Sequence, residues 1–242
     1  VGVSIAKLEA YGWAAGTELI KRAIRDSGLR AVNLIGLGSF PLEDPSKWSG
    51  PRDRLRRAID AATEFGCDTL VFTTGPAGSL PWNHAADALE SALAPVLPHA
   101  NAAGVTVAIE HTNSLRVDVG FVHTLRDVVD LARRLDTGVC MEINACWAER
   151  DLDATIRDGI DKIALVQVSD FAVGTLSTPA RLVPGDGDIP IERIVDVLLT
   201  AGYTRPFDLE LIGPRIEDEG YDRAVPRALD KVRELLAGAD RL

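Results

Sequence analysis

The chain has 242 residues, of which 46% are hydrophobic, and it carries a formal net charge of −10. This length and apolar content suffice for one large buried core, and α/β barrels of this size are commonly single domains, so we expect one domain over residues 1–242. The acidic balance argues against a nucleic-acid partner, because phosphate backbones are bound by clustered Lys and Arg. No run of about 18 apolar residues predicts a transmembrane helix, so no membrane partner is expected either.

The cysteines and the first residues bear on location. There are three cysteines and no CxxC pair, and Cys67 and Cys140 lie in strand-like runs, where a free thiol behaves as a small apolar group. This usage is typical of a reducing compartment, and we expect a cytoplasmic protein. The first residues lack the layout of a signal peptide, and there is no initiator Met, so we expect the true N-terminus to lie upstream.

In chain order, strand-like apolar runs alternate with amphipathic segments of helical period. The predicted strands cover residues 1–5, 29–40, 68–75, 105–111, 138–144, 162–170 and 207–213. The predicted helices cover residues 17–27, 51–65, 84–103, 121–135, 151–158, 191–198 and 225–236, the third being kinked or split by Pro95 and Pro98.

This alternation predicts right-handed βαβ units and a parallel sheet. A TIM (β/α)8-type barrel is the favoured α/β architecture, and because such a barrel needs eight units and the pattern shows seven, we expect the first βα unit to be missing from or to precede this chain. A doubly wound open sheet is the structural alternative. It is less favoured because no G-x-G-x-x-G fingerprint follows any predicted strand.

Four predicted strands carry an oxygen ligand at or near the carboxyl end: Glu110, Glu142, Gln167 and Glu210. Consecutive strand ends ring one face of a barrel, so these side chains could approach a common centre. A single acidic residue at a strand end is more often a helix cap or an ion-pair partner, and the signal here is the recurrence on successive units. Three bare carboxylates would repel one another, and a divalent cation would remove that repulsion.

An all-oxygen donor set favours Mn²⁺ or Mg²⁺, is compatible with Co²⁺, and suits Zn²⁺ less well because Zn²⁺ prefers His and Cys. Such a cation can chelate a substrate carbonyl and a neighbouring hydroxyl and so stabilise an enediolate. The two outer glutamates, Glu110 and Glu210, could then move protons on opposite faces of the chelated carbon.

Beyond these patterns, the chain resembles the xylose isomerase-like TIM barrel superfamily of sugar isomerases, epimerases and dehydratases. The resemblance runs from about Val1 to Leu236 and is carried by the segments AxxFGCDTLVFTTG, GVTVAIEHTN, TGVCMEIN, LVQVSD, VPGDGDIP and FDLELIG. It implies a divalent metal held by Glu110, Glu142, Gln167 and Glu210. It also implies that Glu110 and Glu210 are the acid–base pair.

Two positions depart from the family pattern. The family commonly has Asp where this chain has Glu142, and His where it has Ala145. Glu is longer by one CH₂, so a metal would have to shift or bind the carboxylate differently, and the missing His removes a usual substrate contact. The metal His is replaced by Gln167, as in subgroups such as hydroxypyruvate isomerases and keto-inositol or dehydroshikimate dehydratases, which widens the choice to lyases.

The resemblance implies that Asn113 contacts substrate, and Trp82 and Arg181 lie in loops from which they could bind it. Each has a structural alternative: an Asx turn for Asn113, core packing for Trp82 and a surface position for Arg181. Strand alternation directs His111 away from the proposed metal. Asp170 is expected to hydrogen-bond a neighbouring strand end.

The leading functional hypothesis is a divalent-metal-dependent isomerase or epimerase of a small polyhydroxy carbonyl compound, such as a sugar or keto-sugar. The alternative is a lyase or dehydratase that uses the same site on a keto-sugar, a keto-inositol or a dehydroshikimate-like substrate. More distant hypotheses are an apurinic-site endonuclease, which shares the barrel but uses a His-rich cluster, and a non-catalytic barrel subunit. The expected partner is a small carbohydrate-like molecule, and the oligomeric state stays open, a homo-oligomer included.

Overall fold

Seven parallel strands form one sheet in the computed structural model, which describes residues 1–37 and 40–239. The part of the predicted strand 29–40 that falls on Gly38 and Ser39 therefore lies outside the described residues. The strands are β1 (Gly2–Ser4), β2 (Asn33–Leu37), β3 (Thr69–Thr73), β4 (Thr106–Glu110), β5 (Gly138–Glu142), β6 (Ile163–Val168) and β7 (Phe207–Leu209).

Helices follow most strands, as the alternating sequence pattern predicts. They are α1 (Ile5–Ala10), α2 (Trp13–Ser27), α3 (Ser49–Phe65), α4 (Trp82–Leu93), α5 (Leu97–Ala102), α6 (Leu125–Leu135), α7 (Ile143–Cys146), α8 (Leu152–Gly159), α9 (Ile191–Thr200), α10 (Pro214–Glu219) and α11 (Tyr221–Ala239). None of these described helices has both the length and the apolar character needed to cross a bilayer.

The order of the strands in the sheet follows their order in the chain, from β1 to β7, and every neighbouring pair is parallel. The TIM-barrel prediction is confirmed as a nearly closed barrel of seven strands. An eighth strand is not among the residues that the structure describes.

Side-chain alternation divides each strand between two environments. Val71, Ala108, Cys140 and Leu165, from four successive strands, form a small buried cluster of their own. Most intervening residues of these strands belong to the large core, and Ala164 joins the small cluster. Because Glu110 and Glu142 lie two residues beyond Ala108 and Cys140, they continue the inner set toward the carboxyl ends.

The predicted helix ends agree with the structure wherever local chemistry determines them. Gly28 and Gly66 both adopt left-handed backbone angles, with φ of 68° and 69°, and close α2 and α3. The predicted helix 84–103 is split into α4 and α5, with Pro98 in the first turn of α5. The cause is the one that the sequence predicts, since Pro95 cannot continue a helix.

Three of the boundaries that differ from the prediction lie at or after the carboxyl ends of the strands. Phe121 precedes α6, which begins after Thr124 because the Thr124 side chain accepts the N–H of Asp127. Ile143 and Asn144 start a short helix instead of ending β5, because the Glu142 side chain accepts the N–H of Asn144. The last strand ends at Leu209, so Glu210 lies just beyond it.

Candidate active site

Three carboxylates converge at the carboxyl ends of the strands. One oxygen from each of Glu110, Glu142 and Glu210 lies within 4.8 Å of the other two. Glu142 is buried, with 1% of its surface exposed, and the other two residues are half-buried. The sequence-predicted glutamates thus come from three different βα units to one point.

Gln167, the fourth predicted ligand, lies beside Glu142 in the register of β5 and β6 and is fully buried. Its Oε1 atom accepts a hydrogen bond from the Sγ of Cys140 at 3.3 Å, and its Nε2 atom has no partner among the described residues. A half-turn of the amide would exchange these two atoms and release the carbonyl oxygen from the thiol. The amide is therefore next to the carboxylates, and one of its polar atoms still lacks a partner.

The donor set fits a divalent cation. Opposite oxygens around Mg²⁺ are about 4.1 Å apart, and around the larger Ca²⁺ about 5 Å apart, so carboxylate oxygens within 4.8 Å of one another match a single ion. The net negative charge of the site also favours a bound divalent cation. Three ionised carboxylates beside one arginine would leave two charges without compensation at a buried position.

That arginine is Arg181, whose side chain is only 11% exposed. Its Nη2 atom donates to Glu142 Oε2 at 3.0 Å and to Glu210 Oε2 at 2.8 Å, and its Nε atom donates to the same oxygen of Glu210 at 3.1 Å. Its Nη1 atom donates to Asn144 Oδ1 at 2.7 Å. The surface-arginine alternative is therefore wrong.

The backbone of Arg181 is fixed by its neighbours in the chain and in space. Its N–H donates to the carbonyl of Ile212 at 3.0 Å. The next residue, Leu182, exchanges two backbone hydrogen bonds of 2.9 Å with Asp170. Arg181 is therefore held between the segment that follows β6 and the segment that follows β7.

The Asp170 carboxylate organises the turn that follows Arg181. It accepts four backbone N–H groups, from Phe171, Gly185, Gly187 and Ile189, at 2.8 to 3.1 Å. The carboxylate of Asp170 therefore bonds its own loop, while its backbone carbonyl accepts the Nδ2 of Asn144, at the end of the predicted strand 138–144, at 3.1 Å, as expected. A Cβ at Gly187 would come within 2.4 Å of Asp170 Oδ1, so this position of the turn needs glycine.

The pKa values of the three carboxyl groups are shifted differently by their surroundings. Burial raises the pKa of Glu110 to about 8, and the negative charge of Glu210 adds to this effect. Burial also raises the pKa of Glu142, although Arg181 opposes the shift. Burial would raise the pKa of Glu210 too, but the hydrogen bond with Glu142 and the charge of Arg181 lower it below its ordinary value. Glu110 accepts no hydrogen bond from a described side chain that would offset the effect of burial, whereas Glu142 and Glu210 both accept from Arg181.

His111 is fully buried, and its contact with the site was not predicted. Its Nε2 atom accepts the backbone N–H of Glu142 at 3.2 Å. Burial lowers the pKa of His111 to about 3, with a smaller contribution from His123, so the ring is neutral at pH 7. Alternation predicts that His111 points away from the proposed metal, but His111 is among the residues that line the carboxylate cavity, and its ring contacts the backbone of the next strand.

A cavity of about 190 Å³ opens above the carboxylates and has room for a small molecule. Its walls include the last residues of β4 and β5, Glu110 and Glu142, and residues of the loops after β4, β6 and β7: His111, Asn113, Arg116, Thr178, Pro179, Arg181, Glu210 and Ile212. A larger cavity of about 430 Å³ lies among the amino ends of β4 to β6, away from the carboxylates. We place the candidate site at the smaller one, since it contains the convergent ionisable groups.

The remaining predicted substrate residues are placed differently. Asn113 lines the cavity, and its Oδ1 atom also accepts the N–H of Leu115, so the Asx turn and the cavity position hold together. Trp82 begins α4 and is 38% exposed. Its ring packs edge-on against that of Phe121, with 5.7 Å between the ring centroids. It is not among the described residues that line this cavity. Arg116, which sequence reasoning missed, belongs to the polar loop that follows β4 directly.

Comparison with known proteins gives the family. Residues 4–235 match the family described as xylose isomerase-like TIM barrel. The chain belongs to this family. The structure shows how the longer side chain of Glu142 is held: one oxygen caps α7 through Asn144, and the other accepts from Arg181.

Individual relatives differ in how much they share with this chain. The inosose isomerase of Halalkalibacterium halodurans is 25% identical over 141 residues, which cover 55% of this chain and 49% of that protein. The match thus spans about half the length of this curated relative. The structure of protein SMc04130 from Sinorhizobium meliloti 1021 has a TM-score of 0.86 and 28% identity over 97% of this chain and 87% of that chain.

A further structure resembles this xylose isomerase-like barrel in fold alone. It is that of the IOLI protein with a bound zinc atom, which has a TM-score of 0.84. The match covers 98% of this chain and 88% of that chain, at 15% identity.

Proposed function

We propose that this xylose isomerase-like barrel is a divalent-metal-dependent isomerase or epimerase of a small polyhydroxy carbonyl compound, such as a sugar or keto-sugar. The observation that carries the proposal is the convergence of Glu110, Glu142 and Glu210 within 4.8 Å at the floor of a cavity. A buried cluster of like charges is costly unless a cation compensates it, and this cluster stands where barrel enzymes place their chemistry.

The relatives support the reaction class and the metal. One is an inosose isomerase, and the IOLI structure contains zinc. The all-oxygen donor set favours Mn²⁺ or Mg²⁺ for this chain. The endonuclease alternative would need a histidine-rich cluster, whereas the acidic cluster of the described residues consists of three glutamates.

Glu110, Glu142 and Glu210, with Gln167 as the fourth donor, would hold the cation. When bound, it would polarise the substrate carbonyl and offset the charge that develops on the carbonyl oxygen. The protein supplies orientation through the cavity walls and through Asn113. Burial of the carboxylates limits the access of water to the reacting atoms.

Glu110 and Glu210 are the proposed proton carriers. They come from β4 and from the end of β7, so they approach the centre from different sides of the ring of strands. One carboxylate takes the proton from the carbon next to the carbonyl, and the other carboxyl group returns a proton to the same carbon or to its neighbour. Return to the opposite face of the same carbon gives an epimer, and return to the neighbouring carbon gives an isomer.

The first experiment measures metal and stability together. Purified protein is analysed for bound divalent ions, stripped with a chelator, and titrated with Mn²⁺, Mg²⁺, Co²⁺ and Zn²⁺ while its melting temperature is recorded. An ion present at 100 times its Kd stabilises the folded state by about 2.7 kcal/mol, so the melting temperature should rise by several degrees. If no divalent ion is found and none raises the melting temperature, the proposed function is wrong.

The second experiment tests the proton carriers. Candidate ketoses and keto-inositols are incubated with the metal-loaded protein. The products are then separated by chromatography, and their masses are measured by mass spectrometry. A product of unchanged mass indicates isomerisation or epimerisation, whereas loss of one water indicates the lyase alternative. Glu110→Gln should abolish turnover. Glu90→Gln changes a residue of α4 that forms an exposed ion pair with Arg134 of α6, and it should leave turnover unchanged. Wild-type turnover in Glu110→Gln would exclude the role of Glu110.

A further inference from the structure

We infer that Arg181 is a resident cation of the site, which a divalent ion must displace from the glutamates before Arg181 can face a substrate. The inference rests on the proposed function, since it takes the three carboxylates to be cation ligands. On this inference, Arg181 lowers the affinity of the site for the metal and couples metal binding to substrate binding.

The guanidinium already bridges the carboxylates in the manner of a metal. A single nitrogen, Nη2 of Arg181, donates to Glu142 Oε2 and to Glu210 Oε2, at 3.0 and 2.8 Å. The second oxygen of Glu142 is also engaged, by the N–H of Asn144 at 2.8 Å. Both oxygens of Glu142 therefore already accept from protein donors, and a metal ion at Oε2 would have to share that oxygen with the guanidinium.

Electrostatic repulsion makes it unfavourable for a divalent ion and the Arg181 guanidinium to share the Oε2 atoms of Glu142 and Glu210. A divalent ion that ligates these two oxygens would lie within a few ångströms of the guanidinium, in a site that is largely shielded from water. Repulsion between a double and a single positive charge at that distance is strong at the effective dielectric of a protein interior. The two cations therefore compete for the Oε2 atoms of Glu142 and Glu210.

The structure allows the guanidinium to leave without unfolding its loop. The backbone of Arg181 is fixed by the carbonyl of Ile212 and by the Leu182–Asp170 pair, so the movement needs only side-chain rotation. The cavity of about 190 Å³ is lined by Arg181 as well as by Asn113 and Arg116, and it can receive the side chain. Glu110 has no described donor and offers the ion a first ligand.

The consequence is a thermodynamic coupling between two ligands. Without metal, the Arg181 side chain is hydrogen-bonded to Glu142 and Glu210. After displacement, its five N–H donors are available to the oxygens of a substrate in the cavity. Because coupling between binding sites is reciprocal, a substrate that engages Arg181 should raise the affinity for the metal by the same factor.

The decisive measurement is the Kd for Mn²⁺ by calorimetry in the chelator-stripped full chain, without substrate. Arg181→Gln should bind Mn²⁺ at least about tenfold more tightly than the wild type, because the competing charge is gone. Arg116→Gln is the matched control, since Arg116 lines the same cavity but pairs with Asp118. Its Kd should stay within about twofold of the wild type, because a charge paired at the surface acts weakly over distance.

Arg181→Gln leaves two buried carboxylates without their partner and can fail to fold. The wild-type protein therefore carries a second test, by ¹⁵N NMR of arginine side chains with Mg²⁺ as a diamagnetic probe. The Nε–H signal of Arg181, assigned with Arg181→Lys, should be protected from exchange by its bond to Glu210 and should lose that protection on saturation with Mg²⁺.

The outcomes separate this inference from the proposed function. Tighter Mn²⁺ binding in Arg181→Gln, or a Mg²⁺-induced loss of Nε–H protection, supports displacement. If the wild type binds Mn²⁺ but Arg181→Gln binds it no more tightly, or if the Nε–H signal is unchanged at saturation, the inference is overturned and the metal-dependent function stands. If neither protein binds any divalent ion, both are overturned.

Discussion

The Nε2 atom of His111 accepts the backbone N–H of Glu142 at 3.2 Å, and this bond joins the end of β4 to the end of β5. Only a neutral imidazole can accept at that nitrogen while it is buried. The residue that directly follows one proposed ligand thus orients the backbone of another.

This bond predicts a pH dependence of stability. The pKa of His111 is lowered to about 3 in the folded protein, against an ordinary value of 6.5, so the unfolded chain binds a proton that the folded chain rejects. The stabilising contribution is complete above pH 6.5 and is lost as the pH falls toward 3, by about 1.4 kcal/mol per pH unit for one proton. His111→Gln keeps an acceptor oxygen but does not titrate. The free energy of unfolding, measured with urea between pH 7 and pH 4, should therefore fall less steeply with decreasing pH than in the wild type.

The control for this prediction is His84→Gln, which changes an exposed histidine of α4. Its pH profile should follow that of the wild type. Equal slopes for the wild type and His111→Gln would contradict a buried, neutral His111.

A second prediction concerns Gln167, whose Nε2 atom has no partner among the described residues. Gln167→Leu replaces the amide with an apolar group of similar size, and stability should change by less than about 1.5 kcal/mol, because one unsatisfied polar atom disappears. If the amide oxygen is a ligand, the Kd for Mn²⁺ should rise about tenfold or more.

Cys140→Ala is the matched control, since it removes only the thiol that donates to Gln167. The metal affinity of this variant should equal or exceed that of the wild type. Unchanged metal affinity in Gln167→Leu would limit the ligands to the three glutamates.

A third prediction concerns Gly213, which lets the Arg181 segment approach β7. Gly213 has a φ of 127°, and a Cβ there would lie 3.0 Å from the carbonyl oxygen of Pro179 and 3.1 Å from the Cα of Ala180. Gly213→Ala should therefore lower the free energy of unfolding by about 1–3 kcal/mol, as read from denaturant midpoints at constant m-value.

Gly50→Ala is the control, because Gly50 lies in α3 and a Cβ there would meet no atom within 4 Å. It should be neutral or stabilising by up to about 1 kcal/mol. A Gly213→Ala protein as stable as the wild type would show that the 179–181 segment is free to shift.

Local chemistry explains why much of the fold could be predicted. Gly28 and Gly66 end helices because glycine adopts the left-handed backbone angles without a penalty, and this holds whatever packs nearby. The short helices α1 and α10 were missed because six residues are too few to show a helical period.

The convergence of Glu110, Glu142 and Glu210 was predictable for a topological reason. Carboxyl ends of consecutive parallel strands share one face of a barrel, so spacing by one βα unit suffices to bring the side chains together. The length of Glu142 was recognised as a departure, but its solution was not predicted. One of its oxygens caps α7, a helix that the sequence pattern did not show.

What the sequence by itself determined is the parallel barrel and the three carboxylates at its carboxyl face, because both follow from periodicity and chain order. Only the tertiary structure decided what those carboxylates contact. Arg181 reaches Glu142 and Glu210 from positions 39 and 29 residues away in the chain, through a loop shaped by Asp170. Such long-range hydrogen bonds depend on the packed positions of several elements at once, and no local pattern of residues encodes them.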